Sequence, residues 1–264
     1  MKLSKKDLET LKRAVDILEN PSLTAKITDF IGMPIEKAFE YLPEKWSAKV
    51  GDATHLALKK SLDISIYSMD ISYSGTSSNI LHKVLSVASG ATGGAFGLLA
   101  LSAELPISTT IMLRSIADVA RSEGEDLAEI ETKLSCLQVF ALGGKSKADD
   151  SSEIGYYGVR AAFGKSITEA AKFIAEKGLT EEGAPILIKF ISKIATRYGI
   201  QVSEKAAAQA IPLIGAAGGG IINFLFIDHF QGMARGHFTV RRLERKYNAE
   251  FIRIEYDKIK KNQK

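Results

Sequence analysis

Apolar side chains recur at helical spacing along most of the chain. Leu8, Leu11, Val15 and Leu18 fall on one face of segment 4–19, whose start resembles a capping box. Similar patterns predict further helices over 23–31, 35–42, 46–71, from Pro106–Thr110 to Gly124, and over 125–142, 156–177, 184–199 and 234–260. No segment alternates apolar and polar residues with the period of two that is typical of a strand. The sequence therefore predicts an all-α protein, a single multi-helix bundle.

Polar segments divide this bundle only weakly. The segment "SYSGTSSN", residues 72–79, is rich in turn-forming residues. It separates an N-terminal helical part, 1–72, from a main helical body, 80–264, within what we expect to be one continuous domain. The longest polar stretch, 143–155, is predicted to be an exposed loop.

Two long segments carry no charge, 84–103 and 206–227. Each is long enough to cross a bilayer, which takes about 20 apolar residues. Each also places glycines four residues apart, which lets a second helix approach closely: Gly90 with Gly94, Gly93 with Gly97, and Gly215 with Gly219. Polar residues such as Gln209 and Asn223 dilute the apolar character. We therefore expect two glycine-rich apolar helices at the centre of the bundle, with membrane contact as the alternative and full spanning the least favoured version.

Composition excludes some classes of function. The net charge of +4 is too small to indicate nucleic-acid binding, although residues 235–264 alone hold ten Lys/Arg and four Asp/Glu. The single cysteine, Cys136, excludes an internal disulfide, and the first residues lack the apolar core of a secretory signal. We expect a cytoplasmic protein whose basic C-terminal part could face an anionic membrane surface. The glycine run lacks the lysine of a phosphate-binding loop, so no nucleotide is expected.

Two polar sets share helix faces. The first set is His237, Arg241 and Glu244, which follow a helical spacing. The second set, Thr110, Arg114 and Asp118, does so too, and Glu104 precedes Thr110 by more than one turn. A histidine beside an Arg–Glu pair is suited to acid–base chemistry or anion binding. The competing interpretation, which the spacing favours, is a set of ion pairs that joins the helices.

Metal and nucleophile motifs are weak. Asp228, His229 and His237 match no standard zinc spacing, and the loop acids Asp149, Asp150 and Glu153 are more often solvated than metal-bound. No nucleophile motif is present. The sequence therefore predicts no metal site and no cofactor.

Three blocks of sequence resemble the bacterial EcsC family. They are "AELPISTTIMLRSIADVARSEGED" (103–126), the segment 127–162, and the segment 203–247 that contains "GAAGGGIINFLFIDHFQGMARGHF". Positions that match the family's polar motif residues are Glu104, Thr109, Thr110, Arg114, Gln209, Asn223, His237, Arg241 and Glu244.

The resemblance implies membrane association or an accessory role in transport, because the family takes its name from a gene beside an ABC-transporter pair. A hydrolase or peptidase label has also been attached to such proteins. Two hypotheses follow. The first is a non-enzymatic helical protein at the membrane, whose partner is an anionic membrane surface or a membrane protein complex. The second is a hydrolase with a polar site between the helix of Glu104, Arg114 and Asp118 and that of His237, Arg241 and Glu244.

Overall fold

The computed structural model describes residues 2–68, 101–144, 155–179, 184–212 and 214–263. These residues form α-helices with two short 3-10 turns and contain no strand, which confirms the all-α prediction. The helices are α1 (Lys5–Glu19), α2 (Leu23–Ile31), α3 (Ile35–Ala38), α4 (Trp46–Ser68), α5 (Leu101–Ser122), α6 (Ile130–Gln138), α7 (Tyr156–Lys177), α8 (Pro185–Ala210), α9 (Gly215–Tyr247) and α10 (Ala249–Gln263).

Helix α1 forms as its sequence predicts. The Ser4 hydroxyl accepts a hydrogen bond from the Asp7 backbone N–H at 3.1 Å and donates one to the Asp7 carboxylate at 2.7 Å. This cap satisfies a backbone donor that the helix leaves open. Leu11, Val15 and Leu18 are buried, as the spacing indicates.

Helices α5 and α9 run parallel through the middle of the bundle. Three side-chain contacts join them in the same order along the chain: Asn223 to Glu104, Gln231 to Ser115, and Thr239 to Glu123 just after α5. Helix α8 lies antiparallel beside them, since its later residue Lys205 contacts Glu104 and its earlier residue Tyr198 contacts Thr109.

The predicted helix start at Pro106–Thr110 is too late, because α5 already includes Leu101 and Pro106 lies inside it. Proline lacks a backbone N–H and is best tolerated near the start of a helix, and here it stands in the second turn. The Thr110 hydroxyl donates a hydrogen bond to the Pro106 carbonyl at 2.8 Å, one turn further along the helix.

The single helix predicted over 234–260 is wrong at its start and is interrupted near its middle. Helix α9 begins earlier, at Gly215, and includes the glycine run, and it ends before Asn248, whose φ of 100° departs from helical geometry. The Asn248 side chain then accepts a hydrogen bond from the Glu250 backbone N–H at 2.9 Å and starts α10. An asparagine therefore ends one helix and caps the next.

The N-terminal helices share one core with the rest. Helix α4 packs on α5 and α8, and α1 packs on α9 and α10. Three features of the sequence analysis lie outside the described residues. They are the predicted boundary at 72–79, the glycines Gly90, Gly93, Gly94 and Gly97, and the acids Asp149, Asp150 and Glu153.

Candidate functional site

A buried ion pair connects α5 and α8. The Lys205 ammonium lies 2.8 and 2.9 Å from the two carboxylate oxygens of Glu104, and Asn223 of α9 donates to the same carboxylate at 2.9 Å. Glu104 is 5% exposed and Lys205 is 0% exposed. The Lys205 ammonium also lies 5.4 Å from the centre of the Phe226 ring.

This arrangement determines the protonation of Glu104. Burial alone would raise the pKa of its carboxyl, but the charge and hydrogen bond of Lys205, with the amide of Asn223, outweigh that effect and lower the pKa. Glu104 is therefore an ionised and fully engaged carboxylate, which is the arrangement of a structural clasp rather than of a proton donor.

The other residues predicted near Glu104 have separate surroundings. Thr109 shares a buried hydrogen bond of 2.9 Å with the Tyr198 hydroxyl. Arg114 is exposed, and Asp118 accepts a hydrogen bond from Arg121 at 2.9 Å. Gln209 is half-buried near the end of α8, and no partner for its side-chain nitrogen is found in the described part of the chain.

His237, Arg241 and Glu244 each contact a different group. The Nδ1 atom of His237 lies 3.0 Å from the Tyr156 hydroxyl of α7. Arg160 of α7 donates two hydrogen bonds to Glu244, at 2.8 and 2.7 Å, and the Tyr157 hydroxyl donates a third at 3.0 Å. Helix α7 is thus fastened to α9 through side chains of both helices.

Arg241 makes the corresponding contact towards the chain just after α5. It donates to both oxygens of Glu125 at 2.9 and 2.7 Å, and Arg245 donates to the same carboxylate. Burial opposes ionisation of Glu125, but the hydrogen bonds and charges of Arg241 and Arg245 outweigh it, so the pKa of Glu125 is lowered. Further basic residues of the C-terminal stretch pair with Asp7, Glu19 and Glu123. Much of the basic charge evident in the sequence is therefore neutralised within the bundle.

Two buried histidines are neutral. Burial lowers the pKa of His229 to about 4, aided by the nearby charge of Lys26 and opposed by that of Asp228. Burial also lowers the pKa of His237, and the charges of Arg160 and Arg241 add to the effect. No group of three or more His, Cys, Asp or Glu side chains suited to a metal ion occurs among the described residues.

The two predicted polar sets do not form one site. Asn223, which marks the position of Glu104 on α9, precedes His237 by 14 residues and Glu244 by 21 on the same helix. At 1.5 Å per residue that separation is about 20–30 Å. A hydrolytic site built from both sets would need their side chains to line one cavity. The structure instead places the two sets at different levels along the contact between α5 and α9.

A pocket opens beside the second set. It has a volume of about 510 Å³ and lies between α6, α7, α9 and α10. Arg241 and Glu244 line it, together with Tyr157, Arg160 and Arg253. Arg241 and Glu244 are the two sequence-predicted site residues that the structure brings to this pocket.

A comparison with protein-family models shows the family of the chain. The EcsC protein family model matches residues 1–243. The chain belongs to the EcsC family. Searches of curated proteins and of solved structures found no match.

The EcsC match covers most of both polar sets but ends before α10. Helix α10, over Ala249–Gln263, supplies Arg253 to the pocket and Tyr256 and Lys260 to Glu19. Within the described ranges, none of the helices of this EcsC-family chain has both the length and the apolar character that crossing a membrane demands.

Sequence reasoning missed the partners of the EcsC motif residues. Lys205, Glu125, Arg160 and Tyr156 were not predicted as site residues. Lys205 did carry a signal, because it is the charge that bounds the uncharged segment 206–227 on its N-terminal side. The other three come from segments whose placement against α9 only the tertiary structure gives.

Proposed function

We propose that this EcsC-family protein is a non-catalytic peripheral membrane protein, accessory to a transport or envelope process. It contacts the membrane through the end of the bundle at which α5 and α9 begin. The observation that carries the proposal is a group of large apolar side chains exposed there. Ile107 of α5 is 55% exposed, and Ile221 and Phe224 of α9 are 44% and 39% exposed.

These three residues lie at one level of the bundle. Ile107 follows Glu104 by about one turn, and Ile221 and Phe224 flank Asn223, which is hydrogen-bonded to Glu104. The uncharged segment 84–103 leads into α5, and the uncharged segment 206–227 contains the start of α9. Exposed apolar side chains that share one level of a bundle are suited to a membrane or protein contact.

Charge favours this end over the basic C-terminal part. Anionic lipid attracts a basic residue near its surface by about 1 kcal/mol. However, Arg241, Arg242, Arg245 and Lys246 already pair with acids of α1 and of the chain just after α5. Contact through burial of apolar side chains, in contrast, persists at high salt because it does not depend on charge.

Flotation with liposomes tests the proposal. The protein is mixed with neutral or anionic vesicles at low and high salt, beside an Ile107→Ser/Ile221→Ser variant. We expect salt-resistant flotation that the double variant reduces about tenfold or more, since each half-exposed isoleucine contributes on the order of 1 kcal/mol when buried.

The matched control is Ile188→Ser. Ile188 is 57% exposed but lies on α8 17 residues before Lys205, about 26 Å from the Glu104 level. It should float as the unaltered protein does. Absence of flotation under all conditions would refute membrane contact. Flotation that needs anionic lipid, disappears at high salt and ignores the isoleucine variants would assign the contact to the basic part instead.

A further inference from the structure

Two arginines of α5 and α9 have no counter-charge. Arg114 is exposed and Arg235 is half-buried, and neither makes a side-chain hydrogen bond or an ion pair with any residue that the structure describes. The acids of α5, and those of α9 as far as Arg235, all have basic partners. The pairs are Glu104 with Lys205 at 2.8 Å, Asp118 with Arg121 at 2.9 Å, and Asp228 with Lys26 at 3.1 Å. The charge left over on this part of the two helices is therefore positive.

Both arginines lie on the same helix faces as the exposed apolar residues. Arg114 follows Ile107 on α5 by about two turns, and Arg235 follows Phe224 on α9 by about three turns. At 1.5 Å per residue, the two arginines stand about 10 Å and about 16 Å beyond those apolar residues.

These two helix faces open on one side of the bundle. Arg114 directly precedes Ser115, which contacts α9, and Phe224 directly follows Asn223, which contacts α5. In two parallel helices, the position just before a joining residue on one helix and the position just after a joining residue on the other point to the same side. We call the resulting surface the α5–α9 face. It consists of Ile107, Arg114, Ile221, Phe224 and Arg235.

The spacing along this face matches the layers of one membrane leaflet. The hydrocarbon core of a bilayer is about 30 Å thick and the whole bilayer about 40–45 Å, which leaves a headgroup layer of about 5–8 Å on each side. With Ile107 and Phe224 at the boundary of the core, Arg114 stands just outside this layer, and its long side chain can extend back to it. A bundle that leans towards the α5–α9 face brings Arg235 to the same level.

We propose that the α5–α9 face binds anionic phospholipid, with its apolar residues at the boundary of the hydrocarbon core and with Arg114 and Arg235 on headgroup phosphates. A guanidinium group presents a planar fork of donors that fits phosphate oxygens. The apolar residues beside the arginines make a lipid, rather than a soluble phosphate, the matching source of these oxygens. This inference rests on the proposed function and adds to it a class of lipid and a direction of lean.

Vesicle partitioning of the full chain tests the proposal. Binding is measured at low salt on vesicles of phosphatidylcholine alone and on vesicles that also contain phosphatidylglycerol. We expect Arg114→Gln/Arg235→Gln to lower the partition coefficient on the anionic vesicles about 25-fold, since each basic residue near an anionic surface contributes about fivefold. Binding to phosphatidylcholine alone should not change. Arg114→Lys/Arg235→Lys should bind both kinds of vesicle nearly as the unaltered protein does, because it keeps both charges.

The matched control is Arg13→Gln/Arg253→Gln, which removes the same charge from two other exposed arginines. Arg253 lines the pocket together with Arg241, about 26 Å from the apolar end along α9. Arg13 lies on α1 near Asp7, which pairs with Lys246 at the far end of α9. This control should bind both kinds of vesicle as the unaltered protein does, and thermal melts verify that all variants fold.

The outcomes separate this inference from the proposed function. Unchanged binding of Arg114→Gln/Arg235→Gln to anionic vesicles, or an equal loss in the control, would overturn the role of the two arginines. Either result would leave salt-resistant flotation through the isoleucines, and so the proposed function, intact. Failure of the unaltered protein to bind either kind of vesicle would instead refute the proposed function, and this inference with it.

Discussion

Replacing Lys205 by methionine tests the buried ion pair most directly. Lys205 and Glu104 have side chains that are 0% and 4% exposed and lie 2.8 Å apart. Methionine fills a similar volume but leaves the Glu104 carboxylate buried with only neutral partners. Breaking a buried pair from one side costs about 3–5 kcal/mol, a large part of a typical total stability of about 5–15 kcal/mol. We expect Lys205→Met to lower the free energy of unfolding by that amount at pH 7, measured by urea denaturation.

The size of this loss should depend on pH. In the unaltered protein the pKa of Glu104 is lowered, so its contribution is present above the unfolded pKa of about 4.3 and is lost only as the pH falls below it. In Lys205→Met burial raises that pKa above the unfolded value, so the folded state binds a proton more readily. The difference between the two proteins should therefore shrink from pH 7 to pH 5.

A second replacement separates the pair from its surroundings. Glu104→Gln combined with Lys205→Met removes both charges, and such neutral replacements are often close to the original stability. The double variant should recover most of what the single variant loses. A single variant that loses less than about 1 kcal/mol, or a loss that is equal at pH 5 and pH 7, would refute the reasoning from buried charge.

Three further predictions concern glycines and a histidine. Gly236→Ala should destabilise the protein by about 1–3 kcal/mol, because the new Cβ atom would lie 2.7 Å from Leu18 Cγ. The control Gly232→Ala should not destabilise it, because the Cβ atom there would lie 3.7 Å from its nearest neighbour, Ile17 Cγ2. Equal urea midpoints for the two variants would contradict this. Gly143→Ala should cost about 1–2 kcal/mol or more, because its φ is +73° and its Cβ would lie 2.6 Å from the His229 ring; an unchanged melting temperature would disprove this. Because the pKa of His229 is lowered to about 4, its neutral form stabilises the fold above about pH 6.5 and that stability is lost as the pH falls, by about 2 kcal/mol at pH 5. His229→Gln should lose less between pH 7 and pH 5 by urea denaturation, and an equal loss would refute the assignment.

Local patterns predicted the helices but not all of their ends. Ser4 and the apolar spacing of 4–19 placed α1 correctly, since a cap and one apolar face are properties of neighbouring residues. The start of α5 was predicted too late, at Pro106–Thr110, because proline propensity says nothing of the neighbours that favour a continuous helix. Asn248 was missed because a positive φ has no unambiguous sequence signal outside glycine.

The candidate site was predictable only in part. Helical spacing placed His237, Arg241 and Glu244 on one side of α9, and Arg241 and Glu244 do line the pocket. The spacing gave no information on their partners, because Arg160 and Glu125 lie 84 and 116 residues away in sequence. Tyr156 was not predicted at all, since its place against His237 is a property of the folded structure alone.

The contacts of Asp7 and Glu19 on α1 with the last two helices have a consequence for synthesis of the chain. Asp7 accepts hydrogen bonds from Lys246 and Tyr247, 239 and 240 residues later, and Glu19 accepts one from Tyr256, 237 residues later. At about 5–20 residues per second, a ribosome needs about 10–50 s to make the intervening chain. Throughout that interval the apolar face of α1 has no α9 or α10 to cover it. Closure of the bundle over α1 therefore waits for its last helices.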